Sequence, residues 1–164
     1  MTIARHDFTI TRTYPHPPAD VFAMFADPEK KSMWFGNHKD FTTSNDAWDF
    51  RVGGRELAAS NHGNGITTSF DATYADIVDG ERIVYTYTMT LNGAPLSGSA
   101  TCVTFEPVEG GTLMTFTEHG IHLDGPTGGQ SREHGTNILA DSIGRSLGEL
   151  APRQAVRPET GGGR

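Results

Sequence analysis

Hydrophobic and polar residues alternate over residues 7–14, and this pattern predicts a β-strand. Over residues 15–27 the apolar residues recur at helical spacing after a pair of prolines, which is typical of a helix start. An Asp-Pro step ends that helix, and residues 29–35 predict a second, shorter one. The chain therefore begins with one strand followed by two helices.

From about residue 39 to residue 119, runs of β-branched and aromatic residues are separated by turn sequences rich in glycine. Asn-Gly, Asp-Gly and Gly-Gly steps between such runs are typical of hairpins, so this region predicts about six antiparallel strands. The predicted breaks are Gly53-Gly54 and residues 61–65, 78–81, 91–95 and 108–111.

Residues 131–150 predict a long amphipathic helix. Its apolar stripe consists of Thr136, Leu139, Ile143, Leu147 and Leu150. Strands and helices in separate blocks indicate an α+β fold in which this helix lies on the concave face of a curved sheet. We expect one domain over residues 1–150 and a flexible tail over residues 151–164. A curved sheet that grips one helix leaves space at its ends, where ligands bind.

Six short motifs occur in an order that resembles a known family. They are Met33-Trp34-Phe35 and residues 49–54, 74–87, 103–107, 110–120 and 134–143. Together they resemble the homologues of the heat-shock-protein-90 ATPase activator, within the START-related (SRPBCC) superfamily of helix-grip proteins. The resemblance implies a helix-grip fold, in which the two glycines of residues 49–54 bend a strand sharply.

The chain departs from this family at the start of the last helix. The family usually has Gly-Trp there, and this chain has Gly135-Thr136. The missing indole implies either a larger cavity or one that Trp48 fills from the sheet. The segment before it, residues 122–130, is rich in glycine, and we expect it to be mobile.

Charge and composition exclude several classes of function. The formal net charge of −7 argues against non-specific binding to nucleic acid or to anionic membranes. No apolar run is long enough to span a membrane, and the first residues lack the apolar core of a signal peptide. Cys102 is the only cysteine, so we expect a cytoplasmic location and, within its strand-like segment, a buried and inert thiol.

Charged and histidine side chains suggest two sites, and we expect neither to be functional. His119, His122 and His134 could approach Glu118, but no metal-binding motif is present, so we predict polar positions at a cavity mouth and neither metal nor cofactor. Asp49 and Arg51, two apart on a predicted strand, could form an ion pair, and such pairs on sheets are mostly structural.

Aromatic residues supply the candidates for a binding site. Tyr85, Tyr87 and Met89 alternate along one predicted strand, and a ligand in a cavity would supply partners for the two phenol hydroxyls. The facing strand would contribute Phe70, Ala72 and Tyr74 or their neighbours, because the sequence does not determine which phase points inward. Ile138, Asp141, Ser142 and Arg145 flank the helical stripe and either line a tunnel or face water. The predicted ligand-binding residues are Trp34, Phe35, Trp48, Phe70, Tyr74, Tyr85, Tyr87, Met89, Phe116, His119, Ile138 and Ser142.

We expect these residues to bind a small, apolar, aromatic or lipid-like molecule, as many helix-grip proteins do. One alternative is an enzyme resembling polyketide cyclases or dehydratases, with acid–base chemistry from Glu118, His119 or Asp49. No nucleophile motif such as Gly-x-Ser-x-Gly is present, so binding without catalysis is preferred. A third possibility is a chaperone-activator-like interaction module with an exposed patch. The resemblance is also compatible with a homodimer.

Overall fold

One antiparallel sheet and three helices make up the fold of the computed structural model, which describes residues 2–36 and 39–151. The helices are α1 (Pro18–Ala26), α2 (Pro28–Trp34) and α3 (Pro126–Leu150). The strands are β1 (Ala4–Tyr14), β2 (Thr42–Trp48), β3 (Arg55–Asn61), β4 (Thr67–Val78), β5 (Arg82–Leu91), β6 (Ala94–Val108) and β7 (Gly111–His122). Their order in the sheet is β1-β7-β6-β5-β4-β3-β2, with α3 packed on the face that carries the core. The predicted α+β helix-grip architecture is confirmed.

The two short helices are joined by a single capping residue. Asp27 ends α1, and its side chain accepts a hydrogen bond from the backbone N–H of Glu29 at 2.9 Å, which starts α2. Trp34, at the end of α2, donates from Nε1 to the carbonyl of Met24 in α1 at 2.8 Å. The Asp-Pro step therefore turns the chain between two helices that remain in contact.

Alternating residues of the strands form the core. The inward phase of β4 carries Phe70, Ala72 and Tyr74, all buried, and this answers the question of phase that the sequence leaves open. On the other side of the core, α3 contributes Ala140 and Ile143. The rest of the core from α1, α3 and the sheet includes Phe8, Ile10, Tyr14, Val21, Phe22, Phe25, Val103, Phe105, Met114 and Leu147.

The last helix begins earlier than predicted, at Pro126 rather than at residue 131. The glycine-rich segment 122–130 therefore includes its first turn instead of being only a loop. Gly129 allows a close approach to β1, since a Cβ there would lie 2.3 Å from the Cβ of His6. At the other end of α3, Leu150 was predicted on the buried stripe, but its side chain is exposed.

The glycine pair of residues 53 and 54 lies in the connection between β2 and β3, not inside a strand as the family resemblance implied. Gly53 has a φ of +82°, and a Cβ on Gly54 would lie 2.0 Å from the carbonyl oxygen of Asp49. The turn is tied to β4 because the N–H of Gly53 donates to the carbonyl of Tyr74 at 2.8 Å. These glycines serve a tight turn, and the predicted ion pair of Asp49 with Arg51 forms on its exposed surface at 2.8 Å.

Two further predictions concern exposure and the tail. Cys102 is half-buried rather than buried, because it lies on the opposite face of β6 from the core residues Thr101 and Val103. The predicted flexible tail covers residues 151–164, and all of it except Ala151 lies outside the described residues. Within the described part of the chain, the helices are too short or too polar to cross a membrane.

Candidate functional site

A pocket of about 590 Å³ lies between α3, α2 and the inward face of the sheet. Its walls are mainly apolar and aromatic. They include Phe25, Trp34, Phe35, Phe70, Tyr85, Met89, Leu96, Met114, Phe116, Leu139, Ala140 and Ile143. Rings from neighbouring elements meet along this wall, as Phe35 and Phe70 do with centroids 5.0 Å apart in an edge-to-face arrangement. The pocket therefore offers a ring-lined surface to an apolar group.

The structure brings together part of the residue set predicted from the sequence. Those that line the pocket are Trp34, Phe35, Phe70, Tyr85, Tyr87, Met89 and Phe116. Those that lie outside it are Trp48, Tyr74, His119, Ile138 and Ser142. The second group corrects the sequence-based placement, and each member has a physical reason to be elsewhere.

Strand parity explains the placement of His119, a buried hydrogen bond that of Tyr74, and ring stacking near the turn before β3 that of Trp48. His119 points away from the core, next to Glu118, and its ring lies 3.2 Å from Asp7 on the outer surface. Tyr74 is buried but donates to Glu56 at 2.6 Å instead of facing the pocket. Trp48 stacks with Phe50 at 6.2 Å between centroids.

Position on α3 explains the other two placements. Ile138 lies on the exposed face of the helix, and Ser142 accepts a hydrogen bond from Arg145 at 2.8 Å. Asp141, a further flanking residue, forms an ion pair with Arg12 of β1 at 3.0 Å. The residues that flank the helical stripe therefore face away from the pocket.

One end of the pocket is polar and is built around Glu118 of β7. Its Oε1 accepts hydrogen bonds from the hydroxyls of Tyr87 at 2.7 Å and Thr101 at 3.1 Å. Arg132 of α3 reaches the same group, donating to the Tyr87 hydroxyl at 2.6 Å and to Ser97 at 2.8 Å. Protein side chains thus supply the partners of Tyr87 that the sequence assigned to a ligand.

Two buried polar atoms at this end have no hydrogen-bond partner among the described residues: Oε2 of Glu118 and Nε2 of His122. Both side chains line the pocket, and each residue is 1% exposed. The nearest cation to Oε2 of Glu118 is Nη1 of Arg132, at 3.7 Å. Buried polar atoms in proteins are normally satisfied, so these two call for an explanation.

Burial shifts the pKa values of Glu118 and His122 at this polar end. It raises the pKa of Glu118, although the hydrogen bond from Tyr87 and the charge of Arg132 oppose the rise. Burial also lowers the pKa of His122, and the charge of Arg132 lowers it further. The site therefore favours a neutral imidazole and opposes full ionisation of the carboxyl.

The raised pKa of Glu118 predicts a pH-dependent contribution to stability. A carboxyl whose folded-state pKa lies above its unfolded value stabilises the fold fully below the unfolded value, and this contribution is lost as pH rises through the folded-state pKa. The free energy of unfolding of the wild type, relative to Glu118→Gln, should therefore fall as the pH rises above the ordinary pKa of a glutamate carboxyl. Urea unfolding of both proteins at a series of pH values from acidic to mildly alkaline measures the difference, and a constant difference would contradict the prediction.

A second buried polar cluster adjoins the pocket, which its member Lys31 also lines. Nζ of Lys31 donates to Oε2 of Glu56 at 2.7 Å, and the hydroxyl of Tyr74 donates to the same oxygen. Lys31 also lies over the ring of Phe35, 4.8 Å from its centroid. Burial lowers the pKa of Lys31, against the opposing charge of Glu56. This cluster joins α2 to β3 and β4.

Several of these polar residues leave no clear signal in the sequence. Arg132, Lys31 and Glu56 were not predicted, because charged residues are expected at the surface. For β7 a signal was available, since Phe116, Glu118 and His122 share one phase of the strand. The sequence groups His122 with His119, His134 and Glu118, yet the side chains of His119 and His122 lie on opposite faces of β7. Among the described residues, groups of three metal-ligating His, Cys, Asp or Glu side chains do not occur.

The departure from the family pattern lies in the pocket wall. Gly135 and Thr136 both line the pocket, and a Cβ on Gly135 would meet nothing within 4 Å. Trp48 does not line it. The space that an indole at position 136 would take is therefore not filled by Trp48.

Comparison with known proteins gives one family and many similar structures. The model of the family described as Activator of Hsp90 ATPase homolog 1-like protein matches residues 15–150. Comparison with curated proteins gives no match.

Three solved structures illustrate the similarity. The Mll3558 protein from Rhizobium loti is 36% identical, with a TM-score of 0.79, over 89% of this chain and 99% of that one. An uncharacterised protein from Rhizobium leguminosarum is 35% identical, with a TM-score of 0.83, over 90% and 97%. Protein CV1439 from Chromobacterium violaceum is 24% identical, with a TM-score of 0.76, over 87% and 96%, and supports the fold alone.

Proposed function

Since this chain belongs to the Activator of Hsp90 ATPase homolog 1-like family and has a ring-lined pocket, we propose that it binds a small, largely apolar molecule, aromatic or lipid-like. The observation that carries the proposal is the pocket of about 590 Å³, walled by Trp34, Phe70 and Phe116. Pockets of roughly 300–1,000 Å³ with apolar walls and a few convergent polar groups are typical of ligand sites. Transfer of an apolar ligand from water to this wall supplies the affinity.

A second candidate function is acid–base catalysis on the bound molecule. Glu118 supports it, because this buried carboxyl lines the pocket and its Oε2 lacks a hydrogen-bond partner in the described part of the chain. His119 and Asp49, the other candidates from the sequence, lie on the outer surface. Incubation of the protein with its natural ligand, followed by analysis of the product, separates the two functions: a carrier returns the ligand unchanged.

An interaction module has weaker support than a binding pocket. Among the described residues the large exposed apolar side chains are spread over different elements, as Val52, Leu91, Val108 and Ile138 illustrate. The open pocket also differs from the closed interior that such a module would favour. We place the protein in the cytoplasm because of its single cysteine, and pairing into a homodimer is compatible with this function.

Methionine methyl groups offer a direct test of where a ligand binds. Met89 and Met114 line the pocket, whereas Met24 and Met33 do not, so the second pair serves as an internal control. We expect 2-naphthol, added to protein labelled with ¹³C at the methionine methyl groups, to shift the NMR signals of Met89 and Met114 saturably. The signals of Met24 and Met33 should move less. Absence of shifts, or equal shifts at all four, would contradict binding in the pocket.

A further inference from the structure

We propose that the polar end of the pocket holds a neutral hydroxyl or enol group of the ligand. We call this end, formed by Glu118, His122 and Arg132, the polar subsite. The proposal rests on the proposed function, because it specifies the chemical class of the molecule that the pocket binds. It is carried by polar atoms that are buried without partners and by the chemistry of their neighbours.

Two of the unpartnered polar atoms, one in His122 and one in Ser99, lie close to a residue without a side chain. Gly120 of β7 lies between Glu118 and His122 on the same face of the strand, and Ser99 of β6 is its cross-strand partner. A Cβ on Gly120 would lie 2.9 Å from Nε2 of His122 and 3.0 Å from Oγ of Ser99. Because Gly120 has no side chain, the His122 ring and the Ser99 hydroxyl can occupy this space. Neither Nε2 of His122 nor Oγ of Ser99 has a hydrogen-bond partner in the described residues.

The unpartnered carboxylate oxygen and imidazole nitrogen belong to side chains that line the pocket. Leaving such atoms unpaired in a buried site is unfavourable, and a ligand group that pairs with them regains that loss on binding. His6, the cross-strand partner of Gly120 on β1, also has an unpartnered Nε2, but its side chain does not line the pocket, and the carboxylate of Glu133 lies 3.4 Å from that nitrogen.

The charges in the subsite decide which ligand group fits. A carboxylate on the ligand would meet the Glu118 carboxyl, and an ammonium would meet Arg132, whose Nη1 lies 3.7 Å from Glu118. A hydroxyl avoids both repulsions. It can donate to Oε2 of Glu118 and accept from Arg132 or His122, and if Glu118 is protonated it can accept from that carboxyl instead.

Three probes with one ring system and different end groups test this inference: 2-naphthol, 2-methoxynaphthalene and 2-naphthoate. By calorimetric titration of the wild-type protein, we expect 2-naphthol to bind about tenfold more tightly than its methyl ether, because the ether cannot donate a hydrogen bond. The anionic 2-naphthoate should bind more weakly than 2-naphthol. The order of the three affinities in the wild type needs no variant and tests the subsite by itself.

Two variants and one matched control test which side chains cause the preference for 2-naphthol over its methyl ether. Glu118→Leu and His122→Leu should each reduce the advantage of 2-naphthol over the ether, while His119→Leu, on the outer face of the same strand, should leave it unchanged. Equal affinities for 2-naphthol and its ether would overturn the subsite and leave the apolar pocket in place. Tightest binding of 2-naphthoate would also overturn it, in favour of an anion site. Failure of all three probes to bind would count against the proposed function itself.

Discussion

Replacing Lys31 by methionine should destabilise the fold by about 3–5 kcal/mol, because it leaves the buried carboxyl of Glu56 without its cation. Glu56 is 2% exposed, and after the replacement only the hydroxyl of Tyr74 would still donate to the Oε2 that now accepts from Lys31. The methionine side chain is apolar and similar in length to that of lysine, so it can fill the same buried space. The loss of stability therefore arises mainly from the unpaired charge of Glu56. Urea unfolding at pH 7, followed by circular dichroism, measures the free energy of unfolding.

Two controls separate this cause from a general packing defect. The double variant Lys31→Met with Glu56→Leu removes both charges and should recover most of the lost stability. Arg55→Met breaks the neighbouring ion pair with Asp71, which also has a 2.8 Å contact but is exposed to solvent, and should cost much less stability than Lys31→Met. If Lys31→Met cost no more than Arg55→Met, the account of the buried cluster would be wrong.

Replacing Thr136 by tryptophan should block the pocket and weaken binding of 2-naphthol at least tenfold. The new indole would occupy the wall position that the family usually fills with a ring, and it would exclude the ligand from the same space. The hydrogen bond from Thr136 to the carbonyl of Arg132, now 2.8 Å long, would be lost, at a cost of about 1 kcal/mol. Burial of the indole should offset that cost, so the melting temperature without ligand should stay the same or rise.

The matched control carries the same indole on the exposed side of the helix. Ile138→Trp lies two residues further along α3, where the side chain is 51% exposed, and it should leave binding of 2-naphthol unchanged. Calorimetric titration of both variants gives the comparison. Binding by Thr136→Trp with the affinity of the wild type would show that the probe occupies some other place on the protein.

Periodicity was sufficient to predict most of the fold. Alternation in β1 and the hairpin turns of the central region predict the strands that the structure shows, because a half-buried sheet imposes a period of two on the sequence. The start of α3 was missed because Gly128 and Gly129 disfavour a helix in isolation. The tertiary contact of Gly129 with His6 requires a small residue and overrides that preference.

Aromatic residues of the site were easier to predict than polar ones. Tyr87 and Phe116 follow from strand phase, because rings on the inward face must pack against something. Lys31 and Arg132 could not be predicted in the same way, because their burial depends on the partners Glu56 and Glu118, which are far away in the sequence. Ion pairs between distant segments leave no periodic pattern in a single sequence.

Mass spectrometry of the protein purified gently from the cells that naturally produce it tests the central claim most directly. The native protein and the denatured chain are weighed in turn, and the released fraction is analysed. We predict a mass difference that corresponds to one small apolar molecule bearing a hydroxyl or enol group, released on denaturation. A protein that is empty, and whose melting temperature no compound in a panel of aromatic and lipid molecules raises, would contradict a ligand-binding function.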